Sequence, residues 1–90
     1  MYAKQTTIIN KTGLHARPAA EFTRTATKFE SKIEIENLDK NKSGDAKSII
    51  SVMTMLLSQG TKIEVRAEGD DEQQAVDTLI ALVEGGFGEI

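Results

Sequence analysis

Lys32-Ile33-Glu34-Ile35-Glu36 alternates apolar and charged residues without a break. A period of two sends successive side chains to opposite faces of a strand. Ile33 and Ile35 therefore face a core, while Lys32, Glu34 and Glu36 face water. Thr61 to Ala67 repeats the pattern, with Ile63, Val65 and Ala67 on one face. Two strands of this kind describe a sheet covered on one side and solvated on the other. Glu30, Glu34 and Glu36 read as solvated strand and turn charges.

Working outward, the remaining segments supply the cover. Upstream, residues 3–9 are rich in Thr and Ile and form a first strand candidate, broken by Asn10-Lys11-Thr12-Gly13. Ala19, Phe22, Ala26 and Phe29 then recur at helical spacing. Pro18 sits in the first turn, where a missing N–H does no harm. The helix is expected to begin at about Ala16, with His15 at or beside its N-cap. Leu38-Asp39-Lys40-Asn41 is a turn, and a weak third strand is expected near residues 41–46. Ile49, Val52, Met53 and Leu56 mark a short second helix, with Ser48 as N-cap and Gly60 as its stop. Asp70 followed by Gln73 resembles a capping box. It opens a third helix buried along Val76, Leu79, Ile80 and Val83 and ended by Gly85-Gly86. The order βαββαβα gives the expected fold: an α+β open-faced β-sandwich. Its four-stranded, mainly antiparallel sheet is covered on one face by three helices.

Bulk properties narrow the function. Ninety residues make one domain, 1–90. A chain of that size buries roughly 60–65% of its unfolded surface, which leaves room for one thin core and no deep cleft. The net charge of −3 argues against nucleic acid as a partner. The absence of cysteine and the single histidine rule out disulfides, thiolate metal sites and histidine-cluster metal sites. No cofactor is implied. No apolar run approaches a membrane span, so no membrane insertion is expected. The N-terminus lacks the apolar stretch of a signal peptide, and a cytoplasmic location is expected. A hydrolytic enzyme finds no support, because there is no second histidine, no cysteine and no Gly-x-Ser-x-Gly elbow.

The chemistry concentrates at Gly13-Leu14-His15-Ala16-Arg17-Pro18-Ala19-Ala20. A histidine at a helix start lies beside backbone N–H groups that have no intrahelical partner. The helix dipole adds partial positive charge there, so the terminus suits an anion. Arg17 brings a guanidinium fork suited to phosphate oxygens. Taken alone, a His-x-Arg of this kind is most often a polar cap next to a solvated charge.

The wider match changes that weighting. Gly13-Leu14-His15-Ala16-Arg17-Pro18-Ala19 resembles the active-site signature of the HPr phosphocarriers. Lys47-Ser48-Ile49-Ile50-Ser51-Val52-Met53 resembles the family's second signature, around its regulatory serine. Length, element order and the Gly-rich acidic ending fit as well, so the resemblance covers essentially the whole chain. It implies a carrier of the phosphoenolpyruvate-dependent phosphotransferase system rather than a classical enzyme. His15 would accept a phosphoryl group on Nδ1 from enzyme I and pass it to enzyme IIA domains for sugar uptake. Arg17 would hold the phosphate, and the backbone N–H groups of Ala16 and Arg17 would orient it. Ser48 would be phosphorylated by an HPr kinase/phosphorylase, after which the protein would bind a catabolite-control regulator.

Residues matching Ile49, Ile50 and Met53 contact partners in the family. Arg24 and Lys28 would add a basic rim for acidic partners. The plain alternative is that Ile49 and Met53 are core. Thr12 reads as a cap of its loop ahead of the alternative, a hydroxyl bonded to a phosphate oxygen, and Asp70 and Asp71 read as helix-start residues. A monomer suits a carrier that must show one site to several proteins. Two other readings stay open. The longer connection before Lys47, Ser51 at a common glycine position and the ending Leu82–Gly88 resemble the nitrogen-related branch. A purely regulatory HPr-like binding module would use Ser48 without flux through His15.

Overall fold

The computed structural model describes residues 1–89. Its elements follow the expected order: β1 (Tyr2–Thr7), α1 (Arg17–Ala26), β2 (Lys32–Asn37), β3 (Lys42–Asp45), α2 (Ile49–Thr54), β4 (Lys62–Glu68) and α3 (Glu72–Glu84), with a 3₁₀ turn at Gly86–Gly88. The strands form one sheet in the order β1-β4-β2-β3, antiparallel at every pairing.

The register explains the two faces. Ile33 sits opposite Ala67, Ile35 opposite Val65 and Asn37 opposite Ile63, and all six are buried. On the other face Glu34 sits opposite Arg66 and Glu36 opposite Glu64. The helices bring Ala19, Phe22, Ala26, Val52, Val76, Leu79 and Val83 against the buried face. At the sheet edge, α3 meets β1 through polar contacts. Lys4 Nζ lies 2.8 Å from Asp77, and the Tyr2 hydroxyl donates to Asp77 at 2.9 Å. This is an open-faced α+β sandwich. No helix among the described residues is long and apolar enough to cross a membrane.

Four local expectations shift. β1 ends at Thr7 because Ile8 turns fully into the core while still donating to Thr61 O at 3.0 Å. α1 ends at Ala26, so Phe29 packs, half-buried, from the turn beyond it. α2 ends at Thr54, because Leu56 adopts a left-handed φ of 58°. Gly60 is therefore not its stop; it closes the turn into β4, donating from N to Ile8 O at 2.7 Å. The capping box does not form at Asp70. Asp71 is the N-cap residue of α3, and its carboxylate reaches away from the helix to Glu30 N, Ser31 N and Ser31 Oγ. Glu72 Oε1 instead accepts from Gly69 N at 3.1 Å.

Candidate functional site at the start of α1

The loop before α1 is shaped by a close backbone approach. Gly13 has φ 65°, and a Cβ there would lie 2.2 Å from the carbonyl oxygen of Leu57. Only glycine fits at both the angle and the contact. Leu14 N then donates to that same Leu57 oxygen at 2.8 Å, and the Leu14 side chain is buried. The next residue is thrown outward, so His15, Ala16 and Arg17 are all exposed.

The turn into the helix is strained. Ala16 is the N-cap at φ 53°, ψ −118°, a conformation that costs a residue with a Cβ about 1–3 kcal/mol. It provides no side-chain cap. Among the described residues, no backbone acceptor takes the N–H of Ala16 or Arg17. α1 starts at Arg17, one residue later than expected, with Pro18 in its first turn and His15 immediately before the N-cap. An imidazole, a guanidinium and unpaired N–H groups thus sit together at the positive end of a ten-residue helix. Arg17 and Arg24 form no salt bridge among the described residues. Seven residues apart on one helix, they lie on the same side of it.

α2 packs beside α1. Ser48 is its N-cap, and its hydroxyl accepts from Ser51 N at 3.3 Å. The expected apolar stripe divides. Val52 and Met55 go into the core, whereas Ile49, Met53 and Leu56 are exposed and Ile50 is 73% exposed. The core reading of Ile49 and Met53 therefore gives way to a surface patch of four large apolar side chains, three on α2 and Leu56 just beyond its end. Met53 and Leu56 also line an open groove of about 370 Å³ beside His15, together with Thr12, Lys40 and Ser58.

Three polar residues that carry this site were not singled out from the sequence. Asn10 is fully buried; its Nδ2 donates to Gly13 O at 2.9 Å and braces the loop ahead of His15. Asn37 is also fully buried. Its Nδ2 donates to Met55 O at 2.9 Å, and its Oδ1 accepts from Asp39 N and Lys40 N. It joins the β2–β3 turn to the end of α2 and brings Lys40 to the groove. Glu89 reaches the loop from beyond α3 and accepts from Thr12 Oγ1 at 2.9 Å. The Thr12 hydroxyl thus ties its loop to the segment beyond α3. Asn10 and Asn37 look like turn residues in sequence, and only their burial sets them apart.

The open-faced sandwich thus displays an exposed histidine and arginine together at one helix start. Residues 2–85 match the family model described as the PTS HPr component phosphorylation site. Phosphocarrier protein HPr of Haemophilus influenzae is 46% identical over 83 residues, 92% of this chain and 95% of that protein. The crystal structure of HPr-C-His from Thermoanaerobacter tengcongensis superposes with a TM-score of 0.95 at 49% identity, covering 100% of this chain and 99% of that one. The HPr dimer from the same organism gives a TM-score of 0.77 at 49% identity, covering 99% of this chain and 100% of that one. The chain belongs to the HPr phosphocarrier family.

Proposed function

We propose that this protein carries phosphoryl groups in a phosphoenolpyruvate-dependent phosphotransferase system, with His15 as the carrying residue. The observation that supports this most is the exposed His15 beside Arg17 at the strained, uncapped start of α1 in an HPr-family chain. In the forward step the Nδ1 lone pair forms a P–N bond as the bond from phosphorus to the enzyme I histidine breaks. In the second step the same group passes to an enzyme IIA histidine. Such a transfer asks the protein for alignment and charge neutralisation. Arg17 and the N–H groups of Ala16 and Arg17 supply both. Ile49, Ile50, Met53 and Arg24 form the docking surface for these partners. The working form is a monomer, since one histidine must meet several proteins; the Thermoanaerobacter dimer makes the mass in solution its test. A cytoplasmic site of action belongs to the same reading and rests on the family.

Incubation with enzyme I and phosphoenolpyruvate should add one acid-labile phosphoryl group by intact mass, lost in His15→Ala. A folded protein that stays unlabelled beside a labelled control HPr would overturn the reading. Ser48 is the regulatory site within it. Phosphorylation there would place two negative charges next to Ile49 and Ile50 and disfavour docking of enzyme I. Incorporation from ATP by an HPr kinase/phosphorylase should vanish in Ser48→Ala; incorporation that persists would remove Ser48 from the scheme. A catabolite-control regulator is the expected partner of that modified form.

A further inference from the structure

The three methionines of the chain sit in three different surroundings. Met55 is 4% exposed, with its sulfur close against Gly44. Met1 is 77% exposed and lies on the open face of the sheet beside Lys32, Glu34 and Arg66. Met53 is 37% exposed on α2, in the patch with Ile49, Ile50 and Leu56, and lines the groove beside His15. Val52 and Met55 carry the core contacts of this stretch, so the Met53 thioether is left facing solvent. The chain has no cysteine, which makes a solvent-facing thioether the first group that a peroxide meets.

We propose that Met53 is a reversible oxidation site: a hydroperoxide converts its thioether to the sulfoxide, and the polar S–O group weakens docking of the phosphoryl donor. The proposal rests on the reading of His15 as the carrier and of Met53 as part of its docking surface. In the forward step a sulfur lone pair takes the distal oxygen of the hydroperoxide. The O–O bond breaks, the sulfur gives up two electrons, and the peroxide leaves as water or an alcohol. In the reverse step a methionine sulfoxide reductase restores the thioether, with two thiols oxidised to a disulfide and the oxygen released as water. The sulfoxide oxygen is a strong acceptor that must shed its water to enter an apolar contact. The side chains of Ile49, Ile50 and Leu56 offer no donor to replace that water. Because Val52 and Met55 hold the core, the added oxygen falls outside it. Oxidation therefore changes what the surface binds and leaves the fold intact. Met1 undergoes the same chemistry on the other side of the sheet, away from the patch, and serves as an internal control.

Full-length wild type and Met53→Leu are treated with hydrogen peroxide and quenched, and the oxidised methionines are located by peptide mass. Phosphorylation by enzyme I and phosphoenolpyruvate is then compared with each protein's own untreated sample. Wild type should gain oxygen at Met1 and Met53 ahead of the buried Met55. Its KM as a substrate of enzyme I should rise about tenfold, with the unfolding midpoint unchanged. Methionine sulfoxide reductase with dithiothreitol should reverse the rise. In Met53→Leu, where peroxide reaches only Met1, treatment should change transfer by less than about 1.5-fold. An equal loss in both proteins would overturn the switch, as would a Met53 sulfoxide form whose transfer stays within about 1.5-fold of the reduced protein. So would a Met53 that stays reduced until Met55 is oxidised. In each of these outcomes His15 labelling leaves the carrier reading intact. A folded, untreated wild type that takes no label from an active enzyme I would overturn both.

Discussion

The two exposed regions of this molecule treat their charges in opposite ways. On the open face of the sheet, Arg66 is surrounded. It donates to Glu34 at 3.0 Å, to Glu36 at 2.8 Å and to Glu64 at 3.0 Å. Gln5 adds a hydrogen bond to Glu64 at 3.0 Å. Glu36 above all, with Glu64 and Glu34, raises the Arg66 pKa, while Gln5 first and Arg66 second hold Glu64 below the usual carboxylate range. At the helical end, Arg17 and Arg24 form no salt bridge among the described residues, Ala16 is strained, and Ile50 stands in water. The sheet face pairs its charges with one another, whereas the helical end leaves its charged and apolar groups to solvent. Of the two regions, the helical end is the one with a cluster of exposed apolar side chains, the kind of feature that marks interaction surfaces in general.

The largest effect should come from the loop that leads into the helical end. Gly13→Ala must move the Leu56–Ser58 backbone or abandon the left-handed angle, and should cost about 3 kcal/mol in denaturant unfolding. A loss below about 1 kcal/mol would mean that Leu57 does not fix the loop. Next, Ile50→Glu should lower transfer from enzyme I about tenfold while stability stays within about 0.5 kcal/mol. Unchanged transfer kinetics would remove Ile50 from the docking surface. Arg66→Gln should do the reverse, with unchanged transfer and a stability loss of no more than about 1 kcal/mol. A change in transfer would break the contrast between the faces.

The smallest effect is confined to acid. The Ser31 hydroxyl, with the backbone of Glu30 and Ser31, depresses the Asp71 pKa. Its contribution is present above the unfolded value of about 4 and is lost as pH falls through the lower folded value. Asp71→Asn should therefore flatten the acid limb of the stability curve below about pH 4 and leave transfer untouched. An unchanged acid limb would show that the Asp71 contacts are not maintained in solution.

Most of this architecture is legible in sequence because long elements declare their period. The alternation in β2 and β4 and the stripe of α3 need no tertiary information. α2 was harder. Ile49, Val52, Met53 and Leu56 satisfy helical spacing, yet the helix stops at Thr54 and the buried pair is Val52 and Met55. A left-handed Leu56 is set by packing, and no local preference announces it. His15, Arg17 and the Ser48 cap could be marked from local chemistry and resemblance. Asn10, Asn37 and Glu89 could not, because their roles depend on segments distant in sequence meeting at the loop. The same letters serve ordinary turns and tails elsewhere.

The most direct test of the central claim is ³¹P NMR of the protein after phosphorylation by enzyme I and phosphoenolpyruvate, followed by addition of an enzyme IIA domain. One phosphoramidate resonance coupled to Nδ1 of His15, lost from this protein and regained on the acceptor, is the predicted result. No phosphoramidate resonance, or one that stays on this protein in the presence of an acceptor that a control HPr phosphorylates, would contradict the account.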